Sequence, residues 1–224
     1  AKNAQRSYGS NKFQNVTSAT LDGDVVTLLA DIALDTKTLV AECDGYSSFV
    51  HVQGKSVTID LNGKSITANA SNADLAGKVK DNMLVGMFSV DEAGKLTLKD
   101  SKGGASVTLN ANDDAKVYSL LCCYSEGCLI QVDGGTYVVN RVSDSMLFSG
   151  GSEGIVVNGG NFTLDNVGAG QNGKPWIFNV KGSNAGHSIV NGGTFNADVN
   201  HQFWANEVFV PQTKALRNNG DGTW

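Results

Sequence analysis

A chain of 224 residues is long enough to bury a sizeable core, and no polar linker or compositional break divides it. Its net charge of −5 comes without any basic stripe of interleaved aromatics, which argues against nucleic acid as a partner. No apolar run approaches the roughly 20 residues needed to span a bilayer. The 224 residues include no signal peptide, and Ala1 reads either as a mature terminus left by cleavage or as the residue exposed by removal of an initiator Met.

The opening "AKNAQRSYGSNKFQN" carries Lys2, Arg6, Tyr8 and Lys12 and no acid. It reads as a polar arm or end cap over residues 1–20 that shields the first strands, with Arg6 and Tyr8 as candidate contact residues. The remainder, 21–224, reads as one domain of short strands. "DGDVVTLLADIALDTKTLV" (22–40) and "KSVTIDLNGKSITA" (55–68) are rich in β-branched and aliphatic residues and lack helical periodicity. "SNADLAGKVKDNM" (71–83) is a weak helical candidate within a loop. Gly occurs 27 times and Pro only at 175 and 211, a balance that suits tight turns between hydrogen-bonded strands, because Pro removes a ladder donor. No strict three-residue period points to collagen.

From residue 86 onward a unit repeats. The apolar clusters "GMFSV" (86–90), "SLLCC" (119–123), "SMLFS" (145–149) and "WIFNV" (176–180) each precede a polar turn, a second strand and a Gly-Gly pair. The pairs are Gly103–Gly104, Gly134–Gly135, Gly159–Gly160 and Gly192–Gly193, with first glycines 31, 25 and 33 residues apart. Regular internal order with irregular period predicts stacked coils with variable loops, a parallel β-helix in preference to a sandwich. The glycine pairs then form corners that demand φ > 0 or a close approach to the neighbouring coil. Tyr137, Phe162 and Phe195 each follow a second glycine by two residues and are expected to stack inside the coils.

The thiols read first as buried small hydrophobes. Cys43 is isolated, whereas Cys122, Cys123 and Cys128 fall in "LLCCYSEGCLI"; adjacent strand residues face opposite sides, so Cys122 and Cys123 do not share one pocket. The C-C-x4-C spacing without a nearby His does not suggest zinc. A disulfide from Cys122 or Cys123 to Cys128 is open in an oxidising compartment.

Catalytic constellations are thin. Asp133, Asp144, Asp165, Glu153 and Arg141 supply charge, and "NRVSDSM" (140–146) sets Arg141 and Asp144 in one loop, where a solvated surface pair is the plainer reading. "NDDAK" (112–116) has turn context. His51, His187 and His201 stand far apart, "GSEG" (151–154) is not a nucleophile elbow, and "GAGQNG" (168–173) lacks the strand and helix of a phosphate loop. No cofactor, metal or catalytic residue is expected. Trp176, Phe203, Trp204, Phe209 and Trp224 crowd the C-terminal third. Trp176 begins a strand, while Phe203, Trp204 and Trp224 either plug the open end or present rings to a sugar or protein.

The segments at 22–40 and 55–68, the "NGGTF" repeat, and the ending "VPQTKALRNNGDGTW" (210–224) together resemble right-handed β-helix proteins of the pectin-lyase-like superfold. The nearest likeness is the adhesin-like type of large bacterial surface proteins. The resemblance implies a single-stranded solenoid of about seven coils, on the order of 35 Å long from the strand spacing. It further implies a non-enzymatic structural or adhesive role at a cell surface or outside the cell, with partners or self-assembly engaged through termini and loops and surface glycans among the candidate ligands. Two alternatives stay open: a bacteriophage decoration, fibre or spike component, and a polysaccharide lyase or hydrolase working through clustered carboxylates.

Overall fold

The computed structural model describes residues 24–36, 41–43, 46–76, 80–112, 115–150, 154–167, 175–180, 188–197, 203–204, 213–215 and 217–224. The expected N-terminal arm, with Arg6 and Tyr8, lies outside the described residues.

The chain is all-β, and its strands are short. In chain order they are β1 (Asp24–Thr27), β2 (Ile32–Asp35), β3 (Ala41–Cys43), β4 (Tyr46–Gln53), β5 (Ser56–Asp60) and β6 (Ile66–Ala70). There follow β7 (Met83–Asp91), β8 (Lys95–Lys99), β9 (Ser106–Ala111), β10 (Lys116–Cys123), β11 (Leu129–Val132) and β12 (Thr136–Val139). The last are β13 (Ser145–Ser149), β14 (Gly154–Val157), β15 (Asn161–Leu164), β16 (Trp176–Val180), β17 (Ile189–Val190), β18 (Thr194–Phe195) and β19 (Phe203–Trp204). The weak helical segment at 71–83 yields one turn, α1 (Asn72–Leu75), and a 3-10 turn at Lys80–Asn82.

Three sheets share these strands. Sheet A runs β1-β5-β8-β11-β14-β17, sheet B runs β2-β6-β9-β12-β15-β18, and sheet C runs β3-β4-β7-β10-β13-β16-β19. From β4 the chain visits C, A and B in turn and then repeats, so each strand pairs with its counterpart one circuit away. Among the described strands every pairing is parallel except β3 with β4. This is a solenoid-like stack, and the unit read from the sequence (apolar strand, turn, strand, corner, strand, variable loop) is its circuit.

Side-chain alternation sends one face of each strand inward. Leu96, Ile130 and Ile155 are paired in register on sheet A, and Val107, Tyr137 and Phe162 on sheet B; all are 1% exposed or less. Tyr137, Phe162 and Phe195 form a column of parallel rings, with centroids 5.0 and 4.9 Å apart and planes within 8° and 11°. The Tyr137 hydroxyl, its ionisation suppressed by burial, donates to the Gly134 carbonyl at 2.9 Å.

All four glycine pairs sit at the corner between sheets A and B, and three of them share one three-residue geometry. Gly160 and Gly193 hold φ of +111° and +115°, and a Cβ there would lie 3.0 and 3.2 Å from the carbonyl oxygen of the glycine one circuit earlier, Gly135 and Gly160 respectively. Both backbone conformation and stacking distance therefore require glycine. Gly103–Gly104 differs. Its corner is longer, residues 100–105 against 133–135, and Ala105 occupies the place that Gly135 takes in the next circuit, since Thr136 N–H bonds to the Ala105 carbonyl. There Asp100 does the fastening, accepting from the Gly63 and Ala105 N–H groups at 2.8 Å each.

Cys123 and Cys128 are joined in a disulfide with Cα atoms 5.8 Å apart, closing the turn between β10 and β11. Both sulfurs are buried against the main core, while Cys122 belongs to a separate buried cluster with Val85 and Phe148. The side chain of Cys43 lies outside the described residues.

Candidate functional site

Arg141 and Asp144 occupy the segment between β12 and β13, and the loop is built by its neighbours. The Asp144 N–H donates to the Tyr118 carbonyl at 3.2 Å, and the Asp144 carbonyl accepts from the Trp176 N–H at 2.9 Å. Its carboxylate is spanned by Asn179 Nδ2, at 2.8 Å from one oxygen and 3.1 Å from the other. Tyr118 also bonds this carboxylate; burial first, then the Asp144 charge, push the phenol well above its ordinary value, so it remains a neutral donor. Arg141 is half-buried and has its own interactions.

Beside this group lies an aromatic surface. Tyr118 meets Phe148 edge-on at 5.1 Å and 77°, and Tyr124, which is 42% exposed, meets Phe148 at 6.4 Å. Strand alternation places Cys122 and Phe148 on the side of sheet C opposite Leu121 and Leu147, which enter the main core. Asn179 Oδ1, on the same register line as Phe148, is buried and has no hydrogen-bond partner among the described residues. Phe148 and Asn179 are buried and the carboxylate is already engaged by two donors, so Tyr124 is the ring left open to solvent. Among the described residues the arrangement has no activated nucleophile and no second carboxylate poised for acid–base work.

Of the other acids flagged in the sequence, Asp165 is exposed and Asp133 is a fastener between circuits. Asp133 accepts from Gln131 Nε2 at 2.8 and 3.0 Å and from Asn158 Nδ2 at 2.7 Å, and Asn191 Nδ2 continues the column onto Asn158. His51 Nε2 lies 3.0 Å from Asp91 Oδ1, a close polar contact whose alignment falls short of a hydrogen bond. Glu153, His187 and His201 lie outside the described residues, as do the side chains of Phe203 and Trp204, whose backbone forms β19. Among the described residues no three His, Cys, Asp or Glu side chains converge as a metal set, and the Cys123 and Cys128 sulfurs are committed to each other.

Asp60 illustrates the fastening role and makes it measurable. Burial by itself raises its carboxyl, but bonds from the Ser101 backbone and hydroxyl and from the Asn62 N–H, with Lys99 Nζ 3.4 Å away, outweigh this and hold it below its ordinary 3.8. A pKa depressed by folding adds stability above the unfolded value and loses it as pH falls through the folded value. Asp60→Asn should therefore be less stable than the parent near neutral pH, with the gap closing once pH drops below 3.8, as read from urea midpoints across pH. A gap independent of pH would refute this role.

Two features escaped the sequence reading. The first is a set of asparagines just past the sheet B strands: Asn140, Asn166 and Asn196 each bond both the N–H and the carbonyl of one residue in the preceding circuit, namely Ala111, Val142 and Leu164. The recurrence of Asn within two residues of each strand's end was the available signal. The second is a cleft of about 230 Å³ at the end of the stack, between residues 190–195 and the C-terminal segment bearing Lys214, Arg217 and Trp224. Trp224 and Phe195 exchange both backbone bonds, at 2.8 and 2.9 Å, so the final residues cover the outer edge of β18.

Comparison of the chain with family models, with curated proteins and with solved structures finds no match.

Proposed function

We propose that the chain is a right-handed parallel β-helix of about seven coils, of the adhesin-like pectin-lyase type, serving as a non-enzymatic structural and adhesive element displayed outside the cell. The observation that carries this reading is the use made of polar side chains. Asp60, Asp100, Asp133 and Asp144, with Asn140, Asn166 and Asn196, tie one circuit to the next instead of converging on a reaction centre. The Cys123–Cys128 disulfide supports an oxidising compartment, where such bonds persist. Tyr124, 42% exposed and backed by the buried Phe148 ring, suits contact with a sugar ring or a protein.

The test is a panel of neutral and acidic polysaccharides assayed for new reducing ends and for unsaturated uronates, alongside immobilised-glycan and self-association measurements. The expected result is no cleavage, and no change on replacing Arg141 and Asp144 by Ala. A polysaccharide-cleaving activity abolished by those two substitutions would overturn this reading and make the chain a lyase or hydrolase.

A further inference from the structure

The cleft at the end of the stack has two walls of different character. One is the last circuit, from Val190 through the corner glycines to Phe195; the other is the returning segment with Lys214, Ala215, Arg217 and Trp224. The second wall is held in shape by its own bonds. The Asn219 N–H donates to the Thr223 carbonyl at 3.0 Å, and Asp221 Oδ1 accepts from the Thr223 N–H at 2.9 Å. Trp224 is pinned to Phe195 by both backbone bonds. A wall fixed in this way leaves little ordering for a ligand to impose.

The lining narrows the chemistry of that ligand. Lys214 and Arg217 are both exposed, and no Asp or Glu stands among the described residues of the cleft, so two positive charges face it on a chain of net charge −5. Such a site selects an anion, and the planar guanidinium of Arg217 matches a carboxylate. Trp224 adds an aromatic surface of the kind on which the C–H face of a sugar rests. Asn191 and Asn219 bring amides. Each spends one Nδ2 hydrogen, on Asn158 Oδ1 at 2.8 Å and on Thr223 Oγ1 at 3.0 Å, and an amide carries a second N–H and a carbonyl that suit hydroxyl groups. Val190 and Ala215 give a small apolar spot beside them.

Size decides between one residue and a chain. At about 230 Å³ the cleft is smaller than the roughly 300 Å³ at which drug-sized sites begin, so it holds a single sugar and not a run of them. A uronate supplies the carboxylate but has no methyl group for Val190 and Ala215, and a sulfate lacks the planar two-oxygen edge that Arg217 matches. A terminal acidic sugar with an acetamido group meets every feature. We infer that the end cleft binds the terminal sialic acid of a glycan, with its carboxylate on Lys214 and Arg217, its acetamido methyl against Val190 and Ala215, and a face of the sugar on Trp224. The inference rests on the adhesive reading above and gives it a ligand class.

The experiment is saturation-transfer-difference NMR of the full chain with sialyllactose, titrated to a dissociation constant. Lactose, sulfated lactose and an oligogalacturonide are titrated alongside, and sialyllactose is titrated against the Lys214→Ala, Arg217→Ala double variant. The acetamido methyl should carry the strongest transfer, and binding should weaken as salt rises. Each of the three other sugars should bind at least about tenfold more weakly than sialyllactose. The double variant should lose about tenfold or more with its melting transition unchanged, because both side chains are exposed. Absence of saturable binding, equal binding of any of the three other sugars, or an unchanged affinity of the double variant would each overturn the inference. Failure of the two readings is distinguishable. Cleavage of polysaccharide removes the adhesive reading and leaves the cleft as it is; absence of sialyllactose binding without cleavage removes only the cleft's assignment.

Discussion

Replacing Phe162 by Ala is expected to cost about 3–5 kcal/mol, the range for deleting a large aromatic side chain from a tight core. Phe162 is the middle ring of the column, at 5.0 Å from Tyr137 and 4.9 Å from Phe195, and is 1% exposed. Its truncation removes two ring contacts at once and opens a cavity that rigid neighbouring strands close only in part, since β12 and β18 are fixed on either side of β15. Phe162→Leu keeps most of the apolar burial but forfeits the stacking, worth about 0.5–1.5 kcal/mol per pair. Denaturant unfolding followed by far-ultraviolet circular dichroism should therefore rank parent, Leu and Ala in that order. A loss below about 1 kcal/mol for the Ala variant, a third of the expected minimum, would mean that the column is not a tightly packed core.

Removing the disulfide should have the next largest effect. A bridge across a separation of 5 residues closes a small loop, and chain entropy assigns such a loop about 2 kcal/mol. Within the turn the Cys128 N–H bonds the Ser125 carbonyl at 3.4 Å, while the Tyr124 N–H to the Val90 carbonyl at 3.0 Å and the Glu92 N–H to Ser125 Oγ at 2.7 Å tie it to the preceding circuit, so the bridge reinforces a turn that is already fastened. The parent should unfold at lower denaturant concentration when a strong reductant is added. The Cys123→Ala, Cys128→Ala double variant should match the reduced parent and ignore the reductant. Cys122→Ser, in the separate cluster with Val85 and Phe148, should keep the parent's sensitivity to reductant. A parent indifferent to reductant would show that these two sulfurs are not joined.

What was legible in the sequence was whatever the stack imposes locally and repeats. A corner that tolerates only glycine, followed two residues later by an inward ring, leaves the same short signature in "DGGTY", "NGGNF" and "NGGTF", and the aromatic column follows from it. Gly103–Gly104 also turns this corner with positive φ, +76° and +83°, but the corner is longer and no ring follows two residues later; only the position of the flanking strands fixes which residue lies under which. The site residues were harder still. Arg141 and Asp144 are neighbours in the chain and draw the eye as a pair, yet the partner that grips the carboxylate, Asn179, sits 35 residues on. Asn140, Asn166 and Asn196 look like ordinary turn residues, since nothing in an amide's identity tells whether it bonds water or the strand of another circuit. Lys214 and Arg217 acquire meaning only when the chain returns to the last circuit, an encounter that leaves no periodicity to read.

The corner between sheets A and B holds a consequence for how such a chain can change. Its connecting segment is three residues at 133–135, 158–160 and 191–193, five at 61–65 and six at 100–105, while the strands on both sides keep their register throughout. Length at this corner is therefore decoupled from the hydrogen-bonded ladder: extra residues leave the stack sideways and shift no strand against its neighbour. Residues 101–104 are exposed, and a Cβ at Gly103 or Gly104 would meet nothing within 4 Å, so this is the position where foreign sequence can be inserted without cost to the ladder. An epitope or a folded module spliced between Gly103 and Gly104 would be carried on the flank of the molecule, at a height along the axis set by the circuit that bears it.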